Sequence, residues 1–336
     1  MIRVGVMRGG PSSEYEVSLN TGGNVLSHLR GDKMNNKYTP VDIFIDREGY
    51  IHINGRPATF ENISDNVDVV FNALHGDYGE DGKVQQMLEQ WKIPYTGSGP
   101  FASALGYNKV LAKEQFSKLG IKTPQFIIYK KNQENAASTF TQASDQARDV
   151  WSKMGPPWVV KPVSSGSSVG VKVCKTFPEL VEAFEIAMED NSDLLIEEMI
   201  EGKEATVPVI EKFRGQGMYV LPPIEIRVPK NKVFFDYEVK YGESSTEAEI
   251  CPGNFSRDEK DELIRLASLI HTGLNLDHYS RSDFIIHPKK GIYALEVNTL
   301  PGLSDASLTP KALSVVGSSM PEFIDHVLTL ALDRNK

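Results

Sequence analysis

Over the first hundred residues, apolar side chains come in short runs of strand length, and stretches with helical spacing separate them. "IRVGVM" reads as a buried strand, and "SSEYEVSLNTGGNVLSHL" as a helix with Val17, Val25 and Leu29 on one side. Ser12 or Ser13 could cap that helix. "YTPVDIFID" and "VDVVFNAL" are further strands, and "GKVQQMLEQW" is a helix leading into "IPYTG". Strands that alternate with helices run parallel, because a parallel partner is reached only through a crossover. Residues 1–100 are therefore predicted to form an open α/β domain, closed by the Gly/Ser/Pro-rich turn "YTGSGPFAS".

Beyond that turn the rhythm changes. "ASALGYNKVLAKEQFSKLG" reads as one helix stopped by Gly120, and "ASDQARDVWSKM" as another closed by Pro156-Pro157. "WVVKPV" and "VKVCK" are strands on either side of the loop "SSGSSVG", with the amphipathic helix "FPELVEAFEIAME" after them. "DLLIEEMI" and "EATVPVI" are strands joined by "EGKE", so residues 101–205 read as an α+β domain. A third unit, 206–336, has strands "MYVLPPIEIRV", "VFFDYEVKY", "DFIIH" and "IYALEVN", and helices "RDEKDELIRLASLIHTGLN" and "MPEFIDHVLTLALD". The fold class is α/β followed by α+β.

A chain of 336 residues suits two or three packed domains. Its net charge of −9 argues against a general nucleic-acid binder but not against a small anion in a locally basic pocket. Cys174 and Cys251 lack zinc or redox spacing and read as two buried thiols in a reducing compartment. The N-terminus lacks a signal-peptide core, and no run approaches the roughly 20 apolar residues of a membrane span. A cytoplasmic protein is expected.

Four stretches carry chemistry. In "KPVSSGSSVGV", Gly166, Gly170 and four serines could fold over phosphate oxygens, with Lys161 supplying charge; a plain hairpin turn explains it equally. "RGGPSSEYEVS" lacks a dinucleotide fingerprint, and Glu14 and Glu16 could simply stabilise a helix N-terminus. "LHGDYGEDGKVQQ" sets His75, Asp77, Glu80 and Asp81 after a strand; helix capping accounts for Asp81 but not for His75. Finally, "RSDFIIHPKKGIYALEVN" is a hairpin whose pleat can place Asp283 opposite Glu296 or Asn298. Three hard oxygen ligands suit Mg²⁺, whereas a polar outer sheet face is the plainer explanation of the alternation.

Taken together these residues resemble the ATP-grasp ligases, and among them closely the D-alanine–D-alanine ligases. The resemblance runs in order through "GGPSSEYEVSL", "HGDYGEDGKVQ", "PYTGSGPFASALGYNK", "VVKPVSSGSSVGV", "EEMIEGKEATV", "DYEVKY", "RSDFII" and "LEVNTLPGLSDASLTPKAL". It implies an ATP-grasp fold, with an N-terminal open parallel α/β domain and two α+β domains enclosing ATP. By that resemblance, Lys109, Lys161 and Lys240 hold phosphates, Glu197 sits at the adenine and Glu204 at the ribose. Asp283, Glu296 and Asn298 hold two Mg²⁺ ions, for which Mn²⁺ is a substitute. Glu14 binds the ammonium of the first D-alanine with His75 nearby, and Ser307 and the Leu308 N–H take the carboxylate of the second. Arg281 and the Gly302 N–H stabilise the tetrahedral oxyanion. Tyr241, on the lid, hydrogen-bonds toward Ser167 and Glu14, and a Tyr there goes with dipeptide rather than ester formation.

The implied reaction joins two D-alanines through an acyl phosphate, with ADP and phosphate as products, for peptidoglycan precursors. The alternative is another second substrate: D-lactate, D-serine or another amino acid. A homodimer is implied by analogy, with no nucleic-acid or membrane partner. Leu303 and Ser304 stand where the family commonly has Met and Thr, and Glu198 where Lys is frequent. The rival from another class is a non-catalytic nucleotide-binding protein, which predicts ATP binding without turnover.

Overall fold

The computed structural model describes residues 1–130, 139–164, 170–190, 193–227 and 248–334. Strand β1 (Ile2–Gly9) lies between β2 (Tyr38–Ile45) and β5 (Val69–Asn72) and is parallel to both, as the helix-separated apolar runs require. All four residues of β5 are buried, the pattern of a strand covered on both faces. Two short strands that the sequence reading did not find, β3 (Ile51–Ile53) and β4 (Arg56–Ala58), extend the sheet antiparallel at the β2 edge.

Helix α1 (Tyr15–Arg30) packs Val25, Leu26 and Leu29 into the core. Its N-cap is Glu14, not a serine, and Ser12 Oγ instead accepts from the Glu14 N–H at 3.1 Å. The long helix expected after residue 100 is two, Pro100–Tyr107 and Lys109–Lys118. Asn108 breaks it by taking an extended backbone and accepting from the N–H groups of Val110 and Leu111, both at 3.1 Å. An Asn offering such a side-chain acceptor starts a helix better than it continues one.

A four-stranded antiparallel sheet follows, with β6 (Phe126–Tyr129), β7 (Trp158–Pro162), β8 (Lys172–Cys174) and β9 (Leu194–Glu198) in the order β6-β9-β7-β8. The third sheet is built on β10 (Lys203–Glu211), with β11 (Met218–Val220), β12 (Ile224–Ile226), β13 (Glu249–Ile250), β14 (Tyr279–His287) and β15 (Gly291–Asn298). The expected single strand "MYVLPPIEIRV" is divided into β11 and β12, and Pro222-Pro223 lie between them, where neither can donate a ladder hydrogen bond. "VFFDYEVKY" lies outside the described residues.

The last helix, Met320–Asp333, turns Phe323, Ile324, Val327 and Leu328 into the same core as Val4, Val6 and Phe71 of the first sheet. Leu300 and Leu303, from the segment after β15, belong to that core as well. This shared core holds the end of β15 against the first sheet, which is what assembles the site below. Cys174 is buried and Cys251 only partly so, because the latter lies just beyond the short edge strand β13. Among the described residues no helix is long and apolar enough to cross a membrane.

Candidate active site

The hairpin β14–β15 sets Arg281 opposite Asn298 and Asp283 opposite Glu296. The register then shifts, since Phe284 pairs with Ala294 and Leu295 is left over. That bulge lets Ala294 and Val297, three residues apart, both be buried, while Glu296 and Asn298 share the other face. Asp283 accepts from Arg281 Nε and Nη2, both at 3.0 Å, and from Thr206 Oγ1 of β10 directly across the ladder. Asn298 Oδ1 accepts from the Leu300 N–H at 2.9 Å. Lys109 Nζ lies 3.4 Å from Glu296 Oε2. Two carboxylates and an amide oxygen, with no nitrogen or sulfur ligand, form a donor set that fits Mg²⁺ or Mn²⁺.

A second group of charges lies behind Lys109. Lys113, one helical turn on, reaches Glu197 Oε1 at 2.8 Å, and Lys161 from β7 reaches Glu197 Oε2 at 2.9 Å. The side chains are 0% (Lys113), 3% (Glu197) and 8% (Lys161) exposed. Burial pushes the Glu197 carboxyl up, but the two ammonium groups outweigh it and hold it below the usual range. Burial also wins at Lys113, lowering it to about 8 in spite of Glu197. Losing one partner of such a buried pair typically costs about 3–5 kcal/mol, because the other charge is left uncompensated. Glu197, which the resemblance puts at the adenine, is also the shared counter-ion of two lysines. Glu204 shares a face of β10 with Thr206, two residues on.

The loops following β1 and β5, neighbours in the parallel sheet, bring Glu14, His75 and Glu80 together with their polar atoms within 4.8 Å of one another. Ligand sites of open parallel sheets form at such strand ends. All three side chains are buried. Burial pushes His75 down to about 4, and the nearby Arg281 adds to this, so the ring is neutral at pH 7. His75 Nε2 is 2.9 Å from Thr21 Oγ1, which also accepts from the Leu303 N–H at 3.3 Å. Burial, with the Glu14 carboxylate beside it, pushes Glu80 up to about 8, although the Gly76 N–H donates to its Oε1 at 3.0 Å. Gly76 takes a φ of +65°, and a Cβ there would stand 2.7 Å from Ser12 Oγ.

Glu80 has a consequence for stability. A carboxyl with an ordinary value of 4.5 that is held near 8 when folded keeps its proton in the folded state across that window. The folded chain then binds more protons than the unfolded chain, and stability falls as pH rises from about 4.5 toward about 8. Glu80→Gln removes this loss, so thermal unfolding should show a higher Tm than the parent at pH 8 and little difference at pH 5. Equal shifts at both pH values would refute it.

From β15 the chain continues into the third part of the site. Ser307 is the N-cap of helix Leu308–Val315, and its Oγ accepts from the Ser304 N–H at 3.1 Å and lies 2.8 Å from Ser304 Oγ. Leu308 is the first helical residue, where backbone N–H groups and the helix dipole favour a carboxylate. A Cβ on Gly302 would come within 3.0 Å of Ser307 Oγ. Leu303 is buried in the shared core, and its carbonyl accepts from Asn24 Nδ2 at 2.7 Å.

The structure therefore brings Arg281, Asp283, Glu296, Asn298 and Lys109 to one hairpin end, and Glu14 and His75 to the adjoining strand ends. Lys113, Thr206 and Thr21 are additions that the sequence reading did not select, and Glu80, named there with its loop, was given no role. An i, i+4 lysine pair pointed to the first. Asp77 accepts from Tyr107 Oη at 2.8 Å, and Asp81 from the Lys83 N–H at 3.0 Å, which are structural uses. Ser167, Lys240 and Tyr241 lie outside the described residues. Two open grooves, of about 820 and 800 Å³, lie elsewhere, and no site residue named from the sequence lines either.

Residues 115–329 match the family model described as D-ala D-ala ligase C-terminus, and residues 52–98 match D-ala D-ala ligase N-terminus. A D-alanine–D-alanine ligase from Geobacter sulfurreducens is 36% identical over 330 residues, 98% of this chain and 94% of that protein. The crystal structure of a D-alanine–D-alanine ligase from Bacillus anthracis complexed with ATP superposes with a TM-score of 0.77 at 29% identity, covering 99% of this chain and 98% of that one. The VanG D-Ala:D-Ser ligase from Enterococcus faecalis gives a TM-score of 0.80 at 26% identity, with coverage of 98% and 99%.

Proposed function

The chain belongs to the D-alanine–D-alanine ligase family of ATP-grasp enzymes, and on that premise we propose how its own residues join two D-alanines at the expense of ATP. The observation that carries this reading is the continuity of β15 with the segment after it. Within 13 residues, Glu296 to Leu308, the chain runs from the oxygen-ligand hairpin, past Leu300 beside His75, to the helix N-terminus at Leu308.

The first D-alanine places its ammonium among Glu14, Glu80 and neutral His75. An incoming cation favours the charged form of Glu80, so binding releases the proton held there. Its carboxylate takes the γ-phosphoryl group of ATP, giving an acyl phosphate and ADP, while Lys109 and Lys161 hold the phosphates. Asp283, Glu296 and Asn298 would hold Mg²⁺, which would neutralise phosphate charge when bound. The second D-alanine, its carboxylate at Ser307 and the Leu308 N–H, attacks the acyl carbon through its free amine. Arg281 and the Gly302 N–H take the developing oxyanion, and phosphate leaves as the C–N bond is completed. The amine proton is lost to solvent.

The dipeptide is the kind built into peptidoglycan precursors. A cytoplasmic homodimer is part of the same reading, supported by family analogy. Incubation of the protein with ATP, Mg²⁺ and D-alanine should yield D-alanyl-D-alanine, ADP and phosphate in equal amounts. ADP formation indifferent to D-alanine would sink the reading. D-serine and D-lactate offered in competition across a pH series report the second subsite, since an amine must be deprotonated to attack and a hydroxyl is not so limited.

A further inference from the structure

We propose that Lys113 is a positioning residue for nucleotide binding: by taking one oxygen of Glu197, it keeps Lys161 from being neutralised and leaves the cluster with one net positive charge. Lys113 and Lys109 are four residues apart and so share a face of helix Lys109–Lys118. They serve different carboxylates, Lys109 reaching Glu296 at 3.4 Å and Lys113 reaching Glu197 at 2.8 Å. Lys113 has no exposed surface, so it cannot meet a phosphate itself. Its ammonium is fixed further by Thr123 Oγ1 at 2.7 Å and lies 5.9 Å from the Phe126 ring centroid. On the opposite side of the carboxylate, Lys161 Nζ stands 2.9 Å from the other oxygen.

The consequence is one of charge count. Two ammonium groups on one carboxylate leave an excess of one positive charge, and in a site this dry that excess is weakly screened. Without Lys113, Glu197 would pair with Lys161 alone, the excess would vanish and Lys161 would be held back from any anion. Glu197 is then the hinge of the arrangement, dividing its oxygens between a lysine that can meet ligand and one that cannot.

This rests on the reading that Lys161 contacts ATP phosphates, and the test separates the two. Full-length Lys113→Met is expected to raise the ATP KM, and the ADP Kd by calorimetry, by about tenfold or more with the D-alanine KM values unchanged. Lys113→Arg keeps the charge at that place and leaves Glu197 untouched. Its ADP Kd should stay within about threefold of the parent. An ADP Kd unaltered in Lys113→Met, or a lower folded fraction with every KM unchanged, would overturn the proposal. Should Lys113→Met not fold, Lys113→Arg decides, because an ADP Kd about tenfold weaker than the parent with the charge retained contradicts the charge count. A parent protein that binds ADP but makes no dipeptide would defeat the ligase reading, and calorimetry would still judge Lys113.

Discussion

Arg281→Met is expected to lower kcat by about 10²–10³ while leaving the ATP KM nearly unchanged. Arg281 stands on β14 opposite Asn298, with its guanidinium forked onto Asp283 through two 3.0 Å bonds. It is held rigidly on a strand by a partner two residues away, so its direction is fixed before substrate arrives. A donor set in place beforehand stabilises developing charge without reorganisation, which is why its loss appears in kcat. Arg281→Lys should rescue little, since an ammonium cannot reproduce the planar fork. Steady-state kinetics with each substrate varied in turn provides the check. A kcat within twofold of the parent in Arg281→Met would remove Arg281 from the oxyanion role. The same charge depresses His75 and bears on Glu80, so the variant should also change the pH profile for the first D-alanine.

What could be read in advance followed the range of the forces involved. The strands and the hairpin were legible because apolar alternation and turn residues are local. The ligand pattern Asp283, Glu296 and Asn298 was visible for the same reason, being two strands joined by one turn. The bulge at Leu295 was less so, although the three-residue step from Ala294 to Val297 was its trace in the sequence. Asn108 offered a cap within an apparently continuous helical pattern, and the propensity of the residues on either side hid it. Lys113 shows the harder limit. A lysine in mid-helix ordinarily faces water, and only the arrival of Glu197, 84 residues later, makes its burial tolerable. Glu14 and Glu80 likewise become neighbours only because β1 and β5 pair in the sheet. Leu303 stands where the family commonly has Met, and its side chain belongs to the core shared between the last helix and the first sheet.

Glu296→Gln is expected to have the largest effect, lowering kcat by about three orders of magnitude or more, as loss of several kcal/mol of transition-state stabilisation would. Glu296 faces Asp283 across the ladder, and its side chain is 32% exposed, so it is open to a ligand in a way that Asp283, bound by Arg281 and Thr206, is less. Glutamine keeps the length and one oxygen but removes a charge from a set whose only other carboxylate is Asp283. The concentration of Mg²⁺ giving half-maximal rate should rise, and Mn²⁺, which binds oxygen and nitrogen ligands more tightly, should recover part of the loss. Lys109, 3.4 Å away and only 9% exposed, loses a partner, so the Tm should fall as well. A purely structural Glu296 predicts the lower Tm alone, with an unchanged Mg²⁺ requirement and nearly full kcat in the folded fraction. Titrating both metals against rate, with Tm measured on the same samples, distinguishes the two.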